Sequence, residues 1–439
     1  MSETLLKKLD ILKNNGELNA KDARREENLH RIFMYPGMMV PKAQTLIVDA
    51  ITQYLPPNSW VIDPFMGAGT SLLSCMEFGY NVFGQDINPF AVILTKAKTV
   101  TYDIEALNNS FMQIKNRISL DKKRAIDVEF KGINKWFKKG VQRDLSKIRR
   151  AIQQIDYKDL RYFFWIVLSE VIRTGSNDRT STYKLHQRTT EEIKERNVNV
   201  ISNFYELCER GMKDFEGFKM KLESKGLICK NHYVKNISTI WGNSMKKINF
   251  EHKFDILVSS PPYGDNRTTV TYGQHSYLEL QWIDRNDMPN EVDYDFLKTT
   301  QEIDSQSLGG KLNTKYIKEI FDQMIERIPS LKNFFSEIPN TEYDKYYKTI
   351  AFINDFEKCL DNIIPAMNSN AYYVWTIGNR RVAKREIPND LILIDLMENR
   401  NIKLFYTAER QIFNKKQPNK NNFSKTMDKE HVLIFHNNL

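Results

Sequence analysis

The sequence predicts an α/β protein: a mostly parallel, doubly wound sheet interrupted by two largely helical insertions. Three observations predict it. The apolar strand Trp60-Val61-Ile62 runs into a glycine turn and then a helical stretch from Thr70 to Phe78. A second strand, Asn81 to Gln85, follows at once and ends on Asp86. Strand-like segments then return far downstream, at Ile237–Trp241, Phe254–Ser259, Tyr372–Ile377 and His431–Phe435, separated by long polar stretches. Strand, tight turn, helix and strand in that order open a doubly wound sheet.

Taken along the chain, residues 1–30 are charged, with Leu5, Leu6, Leu9 and Leu12 spaced for a short amphipathic helix. Residues 31–100 form a first half of the core. Residues 101–228 read as a long, charged, mostly helical insertion. The sheet pattern resumes over 229–285, gives way to a second insertion over 286–345 that carries the Gly309-Gly310 pair, and closes over 346–439. No internal repeat or low-complexity tract is present.

At 439 residues and 41% hydrophobic, the chain can bury a large core with added lobes, which excludes disorder as its main state. A net charge of +9 favours a polyanionic partner. Cys75, Cys208, Cys229 and Cys359 form no CxxC pair, which argues against a zinc ribbon or disulfide framework and for a reducing compartment. The N-terminus lacks the apolar core of a signal peptide, and the longest apolar-rich run, Tyr162 to Ile172, is too short to span a bilayer. A cytoplasmic protein with no membrane association is expected. The histidines show no HExxH or paired spacing, so no metal is expected.

The first candidate site is Asp63-Pro64-Phe65-Met66-Gly67-Ala68-Gly69-Thr70, where a strand hands over to a helix. Gly67 and Gly69 allow torsions and close approach that a side chain forbids, and the hydroxyl of Thr70 or Ser71 suits a helix start. Asp86, 23 residues after Asp63, can accept hydrogen bonds from both hydroxyls of a ribose. A dinucleotide loop would read GxGxxG and face pyrophosphate. An aspartate opening the loop repels phosphate and suits a cation, such as a sulfonium bearing a free amino group.

The second candidate site is Ser260-Pro261-Pro262-Tyr263, directly after the strand Phe254–Ser259. The exocyclic amine of a nucleobase is a poor nucleophile, because its lone pair is conjugated into the ring. Acceptors set against its N–H groups draw the nitrogen toward a tetrahedral shape. Ser260 Oγ and the Pro261 carbonyl can serve as those acceptors. Pro262 stiffens the loop, and Tyr263 can stack on an extruded base.

Both segments resemble the DNA amino-methyltransferases, whose cofactor loop reads D-P-F-x-G-x-G-T and whose catalytic tetrapeptide reads [DNS]-P-P-[YFW]. The resemblance covers about half the chain. It implies a Rossmann-like, AdoMet-dependent methyltransferase sheet, with Asp63, Pro64, Phe65, Gly67, Gly69 and Thr70 around the methionine end of S-adenosyl-L-methionine and Asp86 on its ribose. Tyr35 and Pro36, within Met34–Lys42, are similar to the N-terminal motif that closes over the methionine carboxylate. Asn243, after Trp241-Gly242, stands where the family commonly has Asp and can still accept from the adenine amine. Ser in the first position of the tetrapeptide resembles the N4-cytosine group, whereas Asp marks the N6-adenine group. No cysteine follows a proline, which disfavours C5-cytosine chemistry.

The resemblance implies double-stranded DNA as substrate, with a cognate restriction endonuclease as a further candidate partner. Within 121–150 eleven Lys/Arg face four Asp/Glu, interleaved with Phe130, Trp136 and Phe137, a pattern suited to phosphate contacts. Lys138, Lys139, Arg179, Lys184 and Arg267 are the candidate DNA-binding residues. N6-adenine methylation, methylation of RNA or tRNA bases, and a catalytically inactive AdoMet- or DNA-binding module remain open alternatives.

Overall fold

The computed structural model describes residues 2–23, 29–289, 295–312, 315–412, 420–421, 424–425 and 427–438. In chain order the strands are β1 (Trp60–Asp63), β2 (Asn81–Asp86), a short β3–β4 hairpin (Ile228–Cys229, His232–Tyr233), β5 (Ile237–Trp241) and β6 (Phe254–Ser259). Then come β7 (Met367–Ile377), the β8–β9 hairpin (Arg381–Val382, Arg385–Glu386), β10 (Lys403–Gln411), the β11–β12 pair (Lys420–Asn421, Ser424–Lys425) and β13 (Lys429–His436).

Seven of these form one sheet in the order β10-β13-β7-β6-β1-β2-β5, parallel except for β13, which runs antiparallel to both its neighbours. Val61 pairs with Val82 on one side and Ile256 on the other, so the chain winds outward from β1 in both directions. The C-terminal ends of β1, β2, β5 and β6 therefore lie together at the switch point, where open α/β sheets bind ligands.

The strands are apolar on both faces because both are covered. Val61, Val82, Ile256 and Val374 pack under the helices Ser2–Asn14, Pro41–Thr52 and Thr70–Met76. Their neighbours Ile62, Phe83, Leu257 and Trp375 point the other way, toward the helices Ile317–Arg327, Pro329–Ser336, Tyr347–Ile363 and Asn389–Glu398. The N-terminal helix forms as its leucine spacing predicts, with Leu5, Leu9 and Leu12 buried.

The stretch 101–228 is helical and builds its own apolar centre against the helix Pro89–Thr99. Its apolar run lies in the helix Lys158–Gly175, where Phe163 to Leu168 are all buried. Among the described residues no helix is long and apolar enough to cross a membrane. The stretch 286–345 differs from the expected inserted lobe. Ile317, Phe321, Met324, Leu331 and Phe335 pack with Phe254 and Leu257 of β6, so these helices complete a layer of the core.

Candidate active site

The site is built around one loop and one buried carboxylate. From Asp63 the chain turns through Pro64 to Gly69 into the helix Thr70–Met76. Gly67 and Gly69 sit at φ 47° and 73°. A Cβ on Gly69 would lie 2.8 Å from the Thr95 side chain, so torsion and space both require glycine there. Asp63 is fully buried beneath the turn. Its Oδ1 accepts from the Phe65 N–H at 3.0 Å and the Ser259 hydroxyl at 2.6 Å, and its Oδ2 accepts from the Ser71 hydroxyl. Burial nevertheless raises its pKa from 3.8 to about 6.

The Ser259 contact ties the end of β1 to the end of β6, one residue before Ser260. The loops that follow the two strands face a common cleft, lined on one side by Pro64, Phe65 and Gly67 and on the other by Ser260 and Pro262. Asp63 and Gly69 support the loop from behind and do not line the cavity, whereas Thr70 does.

Asp86, at the end of β2, faces the cavity. Its Oδ2 accepts from the Gly67 N–H at 2.9 Å and its Oδ1 from the Asn88 N–H at 2.8 Å, which orients the group and leaves each oxygen further acceptor capacity. Burial raises this carboxyl, too, to about 6. Beyond β5, Gly242 to Met245 form the next wall. Ser244 Oγ donates to the Pro64 carbonyl at 2.6 Å, fastening that wall to the loop. Asn243 lines the cavity, but its Oδ1 accepts from the Met245 N–H at 2.9 Å, so part of the acceptor capacity assigned to a ligand holds its own turn.

Tyr35 and Pro36 also line the cavity. Tyr35 is buried and stacks on Tyr272 (centroids 5.8 Å apart, planes at 26°), and its hydroxyl accepts from Asn88 Nδ2 at 3.1 Å. The remaining wall comes from Asn266 and Tyr272, in the polar stretch after the tetrapeptide, and from Ile303, Ser307 and Leu308, which local sequence patterns did not mark. Asp304 stitches that wall in place, accepting from the Gly273 and Gln274 N–H groups at 2.9 and 3.0 Å at the start of the helix Tyr272–Trp282. Among the described residues the lining carries one carboxylate, Asp86, and no lysine or arginine. Such a lining suits an organic cation with hydroxyl groups and disfavours a phosphate.

On the acceptor side, Ser260 Oγ lies 3.1 Å from Tyr263 Oη, which donates to Glu430 Oε1 at 2.9 Å. No hydrogen bond from the described residues reaches the Pro261 carbonyl. The Tyr263 ring covers Gly378, where a Cβ would lie 2.8 Å from Cδ2. Asn389 Nδ2 donates to the carbonyls of Tyr263 and Gly378 at 3.1 and 2.9 Å, joining the tetrapeptide to the end of β7. Arg380 donates to Asp265 at 3.2 Å and to Thr268 at 2.9 Å, lying against Gly264.

The candidate DNA-binding residues divide. Lys139, Arg179, Lys184 and Arg267 are exposed. Lys138 instead donates to the carbonyls of Arg196 and Lys194 at 2.7 and 3.2 Å and acts as a strut of the helical lobe. Within 121–150 Lys122, Lys123, Arg124, Lys131, Lys135, Lys139 and Arg143 are exposed, but the aromatics are not interleaved with them at the surface. Trp136 and Phe137 are buried, and Arg149 and Arg150 are held by Trp282, Asp284, Asp121 and Asp127.

A family model described as DNA methylase matches residues 12–97. Over 442 aligned residues the chain is 30% identical to the Type II methyltransferase M.MvaI of Kocuria varians, covering 97% of this chain and 94% of that one. It is 32% identical over 147 residues to the Type II methyltransferase M.MjaII of Methanocaldococcus jannaschii, covering 31% and 27% of the two chains. It is 23% identical over 305 residues to the Type II methyltransferase M.BsoBI of Geobacillus stearothermophilus, covering 61% and 55%.

Proposed function

The chain belongs to the N4/N6 amino-methyltransferases of DNA, and on that premise we propose that it methylates the N4 amine of cytosine in a flipped-out nucleotide of duplex DNA. The observation that carries this reading is the shared cavity. Ser260 stands on one wall and the Pro64–Gly67 loop on the other, tied through Ser259 and Asp63.

S-adenosyl-L-methionine fits the cofactor side. Asp86 is poised for two ribose hydroxyls, and Phe65, Ile87 and Met245 give apolar surface. When bound, it supplies an electrophilic methyl group on a sulfonium. Pro64, Phe65, Gly67 and Thr70 would hold its methionine end, with Tyr35 and Pro36 closing over it. Asn243 would meet the adenine with whatever capacity its own turn leaves.

The protein's own work is on the amine. Ser260 Oγ and the Pro261 carbonyl accept from the two N–H groups and fix the nitrogen's orientation, while Pro262 keeps both oxygens aimed. The Tyr263 ring offers a face to the extruded base. Serine at position 260 supports cytosine N4 over adenine N6. Lys139, Arg179, Lys184 and Arg267 would contact the DNA backbone. The designation of its relatives as Type II methyltransferases supports a site-specific enzyme of a restriction–modification system, with a cognate endonuclease as partner.

Labelled AdoMet offered separately with duplex DNA and with total RNA, followed by mass spectrometry of the nucleosides, tests the reading. N4-methylcytosine from DNA is expected. N6-methyladenine alone would overturn the choice of base, and transfer to RNA alone would overturn the substrate. Cofactor binding without transfer to either would make the chain an inactive module.

A further inference from the structure

A serine hydroxyl, unlike the carboxylate or amide oxygen found at this position in related tetrapeptides, both donates and accepts. If its proton faced the target amine, Ser260 would repel the N–H it is meant to receive. The structure contains a device that settles the direction. Glu430, on β13, faces Arg410 on β10 as its direct cross-strand partner. Arg410 is 4% exposed, and its Nη1 lies 3.3 Å from Glu430 Oε2. The other carboxylate oxygen, Oε1, takes the Tyr263 hydroxyl at 2.9 Å. A carboxylate can only accept, so the Tyr263 proton is committed to Glu430. Tyr263 Oη then meets Ser260 Oγ at 3.1 Å with only lone pairs to offer, and the Ser260 proton must point to it.

We propose that Arg410, Glu430 and Tyr263 form a positioning relay that turns the Ser260 proton away from the cavity, making Ser260 Oγ an obligate acceptor toward the target amine. The inference rests on the methyltransferase reading above and deepens it, adding Glu430 and Arg410 to the residues on which transfer depends. Burial and the adjoining Glu430 hold the Tyr263 phenol well above its ordinary pKa, so it stays protonated and able to donate. The relay transfers no proton. It fixes which way two existing hydrogen bonds run, with the Arg410–Glu430 ion pair behind them.

Glu430→Gln reverses the relay with almost no change of shape. Arg410 has no acceptor, so the new amide oxygen faces Arg410 and the new NH₂ faces Tyr263. Tyr263 then donates to Ser260, and the Ser260 proton swings toward the amine. Single-turnover methyl transfer to duplex DNA is expected to slow about tenfold to a hundredfold, at or below the roughly hundredfold to thousandfold that follows outright loss of one aimed polar group. The dissociation constant for AdoMet should stay within about twofold, because the change touches only the acceptor side. Tyr263→Phe keeps the ring and cuts the relay, leaving the Ser260 hydroxyl free to rotate. It should slow transfer less than Glu430→Gln does, and adding Glu430→Gln to it should slow transfer no further.

A merely structural Glu430 would give additive losses in the double variant, and that result overturns the proposal. A second readout does not depend on DNA methylation. In protein carrying ¹³Cζ-labelled tyrosine, the Tyr263 resonance, assigned by its disappearance in Tyr263→Phe, should lie at the position of a phenol donating to a carboxylate. It should move in Glu430→Gln. An unmoved resonance overturns the relay even if transfer is slowed. A wild-type protein that shows the relay resonance but methylates no DNA would sink the functional reading and leave the relay standing.

Discussion

Replacing Asp63 by Asn separates what this carboxylate does for the fold from what it does for the site. The group is fully buried, and burial raises its pKa from 3.8 to about 6. Two units at 1.36 kcal/mol each mean that its ionisation opposes folding by about 3 kcal/mol at pH 7. The sign follows from the raised value: the stability of the protonated form is fully present below about pH 4 and lost as pH rises through about 6. Asparagine carries no charge to desolvate. Its oxygen can keep the Phe65 N–H and the Ser259 hydroxyl, while its NH₂ faces the Ser71 oxygen. Weakening those charge-assisted bonds costs about 1–2 kcal/mol. Asp63→Asn is therefore expected to stabilise the ligand-free protein by about 1–2 kcal/mol at pH 7 and to lose that advantage near pH 4. The same change removes a negative charge from behind a loop proposed to hold a cation, and AdoMet affinity should fall roughly tenfold, about 1.4 kcal/mol. Urea unfolding at the two pH values, without ligand, and calorimetric titration with AdoMet would measure both effects. A variant less stable than wild type at pH 7 by more than about 1 kcal/mol, or one binding AdoMet unchanged, would refute the reasoning.

Three further outcomes are expected. Gly69→Ala should destabilise the protein by about 1–3 kcal/mol, from a positive φ and a collision with Thr95, and weaken AdoMet binding, read by thermal melts and titration. AdoMet affinity of the wild type should decline as pH falls through about 6, where Asp86 and Asp63 both take up protons, and Asp86→Asn should bind weakly and keep only the part of that dependence, about tenfold, that Asp63 supplies. Ser260→Ala should lower the single-turnover rate about a hundredfold or more with the AdoMet dissociation constant within about twofold, and a large loss of AdoMet binding would count against Ser260 as an acceptor.

The parts of the site legible in the sequence are those that local spacing dictates. A strand that ends in Asp-Pro and turns through two glycines into a helix needs its loop at the sheet's C-terminal edge, and an acid at the next strand's end must sit beside it. The same holds for Ser260 after β6. The far wall was not legible, because Ile303, Ser307 and Leu308 reach the cavity only through tertiary packing organised by Asp304. Glu430 lay hidden for a similar reason: its meaning depends on the cross-strand register that sets it against Arg410. In the basic run over 121–150 the charges are legible but the inward face is set by period. Val141, Leu145, Ile148 and Ile152 recur at helical spacing and mark a face turned inward, and Trp136 and Phe137 go with it.

Modified-base sequencing of genomic DNA from a methylation-free host expressing the chain tests the central claim most directly, since it reports the base and its sequence context together. N4-methylcytosine confined to one recurring context is the result this account predicts. N6-methyladenine with no N4-methylcytosine, or DNA left unmodified by a folded protein that binds AdoMet, would contradict it.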